Sequence, residues 1–324
     1  MSTTTATSPQ LSPAASDLGS LATGPTGPAN LSFRSEAQPI PVPGAKRARS
    51  GWPRFARVRP GLFLAGLFVL LLAVAAVAPG WLTSRDPFAA NARLAFRGPS
   101  VNHLFGMDEN GRDVLSRIVY GVRPSLFMGF GATAIGLGLG VAIGLFAGLN
   151  RQSVDGILMR GVDVLLAFPH ILLALVIITF WGQGTYNSIL AVGIANIPRY
   201  ARLVNAQVHL VRRAPYVEAA VTLGLRSSAL VWRHVLPNAI KPVLILSTIG
   251  IGETIGFGAA LSFLGLGAPP PAPEWGSMLS VANEFLANAW WLTVFPALAI
   301  TLTVISVTSI GREMLLRSEG RRSP

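Results

Sequence analysis

Long uncharged stretches alternate with short charged ones along this chain of 324 residues. No Asp, Glu, Lys or Arg occurs in residues 60–84, 124–150 or 164–198. Each run is long enough for a helix that crosses a hydrocarbon core of ~30 Å at ~1.5 Å per residue. The third run is too long for one crossing, and the turn-forming residues of Trp181–Asn187 predict a break within it. The pattern predicts an all-α integral membrane protein.

Two further apolar segments complete a set of six predicted transmembrane helices. Their approximate bounds are 61–82, 124–149, 164–181, 187–204, 239–264 and 285–310. The fourth has the shortest fully apolar part. Arg199 and Arg202 lengthen it because their charged ends can extend to the membrane interface while their stems stay apolar.

Outside this transmembrane domain of residues 60–311, the composition changes. Residues 1–59 predict a disordered tail, because Ser, Thr, Ala, Pro and Gly dominate most of it and cannot bury enough surface to fold. Its end is basic and lies next to the first span, and residues 312–324 form a second basic tail. All but six of the 26 Lys and Arg residues then lie on one side, and the exceptions all fall within 85–123. The positive-inside rule predicts that both termini are cytoplasmic.

Composition supports this interpretation. Hydrophobic residues make up 51% of the chain and charged residues 12%, and the mean hydropathy is +0.52, which is unlike a soluble domain of this size. The net charge of +12 is spread between apolar runs, so it indicates membrane topology and no nucleic-acid partner. The chain has no cysteine, which excludes disulfides and thiolate metal sites.

The second predicted span carries four glycines at a spacing of four residues. They are Gly136, Gly140, Gly144 and Gly148. This spacing places them near one another on one helical face, where small residues allow a second helix to approach closely. We interpret them as helix-packing positions.

The segment between the fourth and fifth spans, residues 205–237, predicts a helix, a turn and a second helix outside the membrane. Glu218 begins a helix-forming stretch, Gly224 can take the left-handed conformation that ends it, and Ser227 can cap the next helix. Pro237 either stops that helix or starts the fifth span. Spacing alone leaves open whether this element transmits force from a partner or only connects two spans.

The 205–237 segment resembles the EAA loop of binding-protein-dependent ABC importer permeases. The matching positions are Glu218, Ala219, Ala220, Gly224, Leu236 and Pro237. His234 replaces the isoleucine of the general pattern, as is usual in the peptide-transporting branch. In that family the loop docks on the ATPase subunit and couples nucleotide-driven closure to the membrane helices.

Further motifs narrow the resemblance to dipeptide, oligopeptide and nickel permeases, and to the second of their paired membrane subunits. The segments 103–117, 261–267 and 273–276 are similar to characteristic stretches of that family, in the same order. The resemblance covers roughly residues 60–311. Gly258 departs from it where a glutamate is often present, and Gly311–Arg317 replaces the usual acidic ending.

The resemblance implies the ABC importer permease fold, with a cytoplasmic coupling helix, in the plasma (inner) membrane. It implies a second permease subunit, two ATPase subunits and an external solute-binding protein as partners. The only lysines, Lys46 and Lys241, lie outside any phosphate-binding loop, so ATP would be bound and hydrolysed by partners. We expect no cofactor and no catalytic residue in this chain. Which solute is carried stays open.

Two other ionisable residues are candidates for a chemical role. Glu253 is an ionisable residue inside a span, and it either lines the translocation path or is a protonated or hydrogen-bonded packing residue. His103 lies near three carboxylates, but the spacing matches no metal-ligand pattern, so no metal site is predicted. An ion-coupled secondary transporter and a membrane-embedded hydrolase are the alternative functions. Neither an internal repeat nor a catalytic motif favours them.

Overall fold

The computed structural model describes residues 60–318, and all of the regular elements in that range are helices. The predicted disordered tail of residues 1–59 lies outside the described residues, as do residues 319–324 of the predicted basic tail. The first part of that basic tail is not a separate segment, because the last helix continues through it to Ser318.

Ten α-helices form the described part of the chain. They are α1 Pro60–Val77, α2 Val114–Leu149, α3 Gln152–Leu166, α4 His170–Trp181, α5 Thr185–Arg212, α6 Pro215–Thr222, α7 Ser227–Leu230, α8 Leu236–Phe263, α9 Trp275–Ala282 and α10 Trp291–Ser318. A π-helical turn, Val231–Val235, joins α7 to α8 without a break. Single 3₁₀ turns lie at Pro79–Trp81, Ala92–Leu94 and Asn283–Phe285.

Four helical stretches of the described range are long and apolar enough to cross a membrane. They are α1, α2, α10 and the continuous helix Ser227–Phe263. The pair α3 and α4 passes the same test together, but it is bent by 91° at the intervening residues. Pro169 lies in this bend, where the proline ring disfavours helical geometry in the residue before it. The predicted span at 164–181 therefore includes the end of one helix and the whole of another.

Helix α5 is less apolar than these, yet it lies at the centre of the bundle. It packs along α2 more extensively than any other pair of described helices does, and it also contacts α3, α4 and α8. Ala191, Val192, Ala201, Val204 and Val208 are completely buried. Because protein covers much of this helix, it needs less apolar surface than a helix that faces lipid.

Several helix bounds differ from the sequence prediction. Helix α2 begins at Val114, ten residues before the predicted 124–149 span, because the Asp113 carboxylate caps it by accepting a hydrogen bond from Ser116 N at 2.9 Å. Pro124 therefore lies inside α2. Helix α5 continues through residues 205–212, which were predicted to belong to the following segment, and α10 begins at Trp291.

The end of the bundle that carries the N-terminus of α2 is held by tryptophans from distant parts of the chain. Trp275 Nε1 donates to Ile118 O at 3.0 Å, and Trp291 Nε1 donates to Met107 O at 3.1 Å. Glu274 caps α9 through Gly276 N and Ser277 N. These bonds tie segment 273–276 to the residue that follows segment 103–117, and segment 103–117 to the start of α10.

Candidate functional site

The 205–237 segment holds a short helix that is tied to the bundle on one face. Helix α6 follows α5 after two residues and begins with Pro215 in its first turn, where the missing N–H costs nothing. Val217 and Ala220 are buried, and Val217 packs in a cluster with Val211 and Val235. Because helix α5 and the π turn supply these neighbours, both ends of the segment are fixed to long helices.

Gly224 ends α6 in the way that the sequence predicted. Its φ of +78° is left-handed, Gly224 N donates to Val221 O at 2.9 Å, and Leu225 N donates to Ala220 O at 3.1 Å. These two hydrogen bonds form a Schellman motif, which reverses the chain after a helix. A side chain at position 224 would have open space around it, so the backbone conformation alone favours glycine there.

The opposite face of this segment is open and largely apolar. Leu223 is 81% exposed and Trp232 is 70% exposed, and Tyr216 and Val221 are exposed as well. Glu218 and Ala219 lie on this open face, whereas Ala220 faces inward. Large apolar side chains grouped in this way are typical of a surface that binds another protein.

The start of the second helix differs from one prediction. Ser227 does not cap it: the N-cap position is Arg226, which makes no side-chain capping bond, and Ser227 is the first helical residue. Pro237 lies in the first turn of α8, so of the two predicted roles the structure shows the second. Leu236 begins α8 directly after the π turn.

A second candidate site is a cavity of about 600 Å³ between α4, α5 and α8. Arg199 of α5 and Glu253 of α8 form an ion pair at its wall, and 50% and 40% of their respective side chains remain exposed. Glu253 is therefore neither isolated nor fully buried. In this structure its carboxylate is paired, and the pair borders open space.

His170, the first residue of α4, lines the same cavity. Both of its ring nitrogens are buried without a hydrogen-bond partner, and its ring packs on Phe257 with centroids 4.7 Å apart. Unpaired buried polar atoms cost free energy, so they require an explanation. Asn196, also at the cavity wall, donates to Thr254 Oγ1 at 3.4 Å.

The four glycines of α2 all face α5. A Cβ at Gly136 would lie 2.6 Å from Asn196 Cβ, one at Gly144 would lie 2.8 Å from Val204 Cβ, and one at Gly148 would lie 2.9 Å from Val208 Cγ1. Gly140 meets Tyr200 and Ala201 in the same way. The glycines bring the two helix backbones together within this chain, and they line no cavity of the site.

The side chain of His103 contacts a carboxylate and a guanidinium group. It contacts Asp113 at 2.9 Å and also Arg85. No group of three or more His, Cys, Asp or Glu side chains within residues 60–318 is arranged to hold a metal ion.

Comparison with known proteins bears on the family of the whole chain. A family model described as the inner membrane component of binding-protein-dependent transport systems matches residues 140–317. The chain is 39% identical over 251 residues to a dipeptide transport system permease protein of Alkalihalophilus pseudofirmus, covering 78% of this chain and 81% of that protein. It belongs to the ABC importer permeases of the peptide family. A glutathione transport system permease protein of Pectobacterium atrosepticum is 39% identical over 267 residues, which cover 81% of this chain and 87% of the relative.

Solved structures support the permease fold. A methionine ABC transporter in an inward-facing conformation aligns with a TM-score of 0.53 and 20% identity, over 62% of this chain and 95% of the other. An amino acid ABC transporter crystallised with histidines aligns with a TM-score of 0.52 and 17% identity, over 63% and 94%. At these identities the likeness concerns the fold alone.

Two glycines at the departures of this permease from its family pattern, Gly258 and Gly311, lie at close packing contacts. A Cβ at Gly258 would collide with the side chain of Met128, so the glutamate that is frequent in the family would fit here only if that side chain moved. A Cβ at Gly311 would lie 2.9 Å from Ile249 N, so α10 and α8 approach closely at that point.

Sequence reasoning missed two residues of the cavity. Arg199 was interpreted as an anchor at the membrane interface, whereas the structure pairs it with Glu253. His170 was not predicted as a site residue, although a histidine directly after Phe168 and Pro169 within an apolar run is unusual enough to indicate one. The separation of 54 residues between Arg199 and Glu253 hid their pairing.

Proposed function

We propose that this permease crosses the membrane six times and has both termini in the cytoplasm. The six crossings are α1, α2, the bent pair α3 and α4, α5, α8 and α10. Helix α5, with 28 residues and a length of about 42 Å, is long enough to cross despite its charges. Helix α4 alone, with 12 residues and about 18 Å, is not. The basic residues that follow α5 and end α10 favour a cytoplasmic location for those ends.

The proposed role of α6 is that of a coupling helix, which docks on an ATPase subunit. The observation that carries this role is the exposed apolar face around Leu223 and Trp232, on a segment whose two ends are tied to α5 and α8. The EAA-like positions from Glu218 to Pro237 support it. A push on α6 would reach both long helices, since neither end of the segment is free.

The complete importer, in this proposal, contains a second permease subunit, two ATPase subunits and an external solute-binding protein. This chain binds no nucleotide or other cofactor, and ATP is hydrolysed by the partners. The solutes are short peptides or related small molecules, as the names of the dipeptide and glutathione relatives suggest. Glu253 lines the translocation path, and the glycines of α2 serve helix packing.

The test compares Glu218→Arg and Leu223→Asp with the native chain in vesicles that hold the full importer. We expect at least a tenfold loss of ATP-dependent uptake of labelled peptide. The ATPase subunit should co-purify poorly with each variant, because charge is added to the docking face. Both residues are exposed, so the amount of folded permease should stay the same.

Gly224→Val and Gly224→Asn form a matched pair for the turn. Valine is strained at a φ of +78°, whereas asparagine tolerates it, so only the valine variant should lose uptake. Uptake by this chain alone, driven by an ion gradient and indifferent to ATP, would replace the proposal with a secondary transporter.

A further inference from the structure

We infer that the cavity between α4, α5 and α8 binds the two charged ends of a zwitterionic solute, a short peptide with free amino and carboxyl termini. This inference rests on the proposed import function and names the chemistry of its path. The residues that would meet the solute are Arg199 and Glu253.

In the proposed six-span topology, the ion pair lies within the membrane. Arg199 lies about 21 Å from the start of α5, which is about 42 Å long, and Glu253 lies about 15 Å from the end of α8. Both charges are therefore far from either end of their helices. A paired Arg and Glu at this depth are costly, and such residues face the bundle interior or a water-filled path.

The exposure of the pair identifies the face of the bundle on which the path runs. About half of the Arg199 side chain and 40% of that of Glu253 are open in the single chain. Lipid cannot solvate these groups, so water, solute or another subunit must cover them. By contrast, the surface of α1 offers lipid only apolar side chains, including Phe63, Leu67 and Leu70.

The bend between α3 and α4 opens this face. Helix α4 begins at His170 and α3 turns away by 91°, so no continuous helix closes the cavity along its length. Phe168 and Leu166, at the bend, line the cavity on that side. Interrupted helices at membrane depth are found where backbone lines a cavity, and binding sites of transporters often lie beside them.

The chemistry of the wall is complementary to a zwitterion. A solute carboxylate can take the place of Glu253 on the Arg199 guanidinium, and a solute ammonium can take the place of Arg199 on the Glu253 carboxylate. Each protein charge then keeps a partner, so entry does not leave a charge unpaired. The cavity of about 600 Å³ is within the usual range for a small-ligand site.

The native chain has no cysteine, which allows a direct test by single-cysteine labelling. Leu173→Cys places a thiol at the cavity wall, and Val101→Cys places one at a residue that is 96% exposed and outside the cavity. The complete transporter, without its solute-binding protein, is treated with a hydrophilic thiol reagent in the presence of Ala-Ala. A second sample receives Ala-Ala with an acetylated amino end and an amidated carboxyl end.

We expect Ala-Ala to protect Cys at position 173 and the blocked peptide to give no protection. Position 101 should label equally in all samples. Adding Glu253→Gln or Arg199→Gln to Leu173→Cys should raise the concentration of Ala-Ala for half-protection at least tenfold. The two neutral variants are independent, so one of them suffices if the other does not fold.

Equal protection by both peptides, no protection by either, or unchanged protection in the neutral variants would overturn the inference.

ATP-dependent uptake is measured on the same preparations after the solute-binding protein is added. Uptake by native transporter without protection at position 173 rejects the zwitterion site only. Absence of uptake by the native transporter rejects the importer proposal itself.

Discussion

Two faces of helix α5 are built on opposite principles. Toward α2, backbone approaches backbone at four glycines, and Tyr200, Ala201 and Val204 fill the contact. Toward α4 and α8, Arg199 borders an open cavity. A membrane helix can therefore be locked along one side and open along the other. The locked side provides the fixed frame against which the open side can change its contacts.

The largest expected effect comes from adding a large side chain at the contact between α2 and α5. Gly144→Leu puts a side chain against Ala201 O and Val204, and overpacking of this kind should cost about 3 kcal/mol or more. Gly138→Leu is the matched control, since it is on the same helix with open space at its Cβ. Thermal unfolding in detergent, followed by size-exclusion chromatography, measures both. Equal losses in the two variants would show that the glycine face does not hold the bundle.

An intermediate effect is expected where α3 is tied to α5. Asp155 accepts a hydrogen bond from Asn205 Nδ2 at 2.6 Å and contacts His209 Nε2 at 2.9 Å, and only 16% of its side chain is exposed. Asp155→Ala should lower the free energy of unfolding by about 2 kcal/mol, because Asn205 loses a charged partner.

Asp163 provides the comparison for Asp155. It pairs with Arg202 at 3.4 Å, and about half of each side chain is exposed. Asp163→Ala should therefore change unfolding by less than about 1 kcal/mol. Thermal unfolding of the two variants side by side decides whether α3 is held by the partly buried contact. A larger loss for Asp163→Ala would contradict this assignment.

A small effect is also expected at the boundary between the two faces. Asn196 packs its Cβ against Gly136 and donates a long hydrogen bond to Thr254, which also donates to Gly250 O at 2.8 Å. Asn196→Ala keeps the Cβ, so it should cost only about 1 kcal/mol. A loss as large as that of Gly144→Leu, in the same unfolding assay, would extend the locked region across to α8.

The sequence predicted the approximate positions of the long helices, because apolar stretches with few charges mark them. The helix end at Gly224 was also predictable, because a left-handed residue after a helix is a local requirement. The capping role predicted for Ser227 was wrong, because Ser227 is already the first helical residue and Arg226 occupies the N-cap position. Contacts between residues that are distant in sequence were not predicted. The pairing of Arg199 with Glu253 depends on how two helices face one another, which no local pattern specifies.

The continuous helix Ser227–Phe263 can transmit a movement from one of its ends to the other. It is 37 residues and about 55 Å long, and it carries exposed Trp232 near one end and Glu253 toward the other. No turn separates the two residues, so a tilt that moves Trp232 sideways must also swing Glu253, unless the helix bends at the π turn or at Pro242. One rigid helix would then carry both the docking surface at Trp232 and the solute contact at Glu253. A partner that binds at Trp232 would strain or break the ion pair of Glu253.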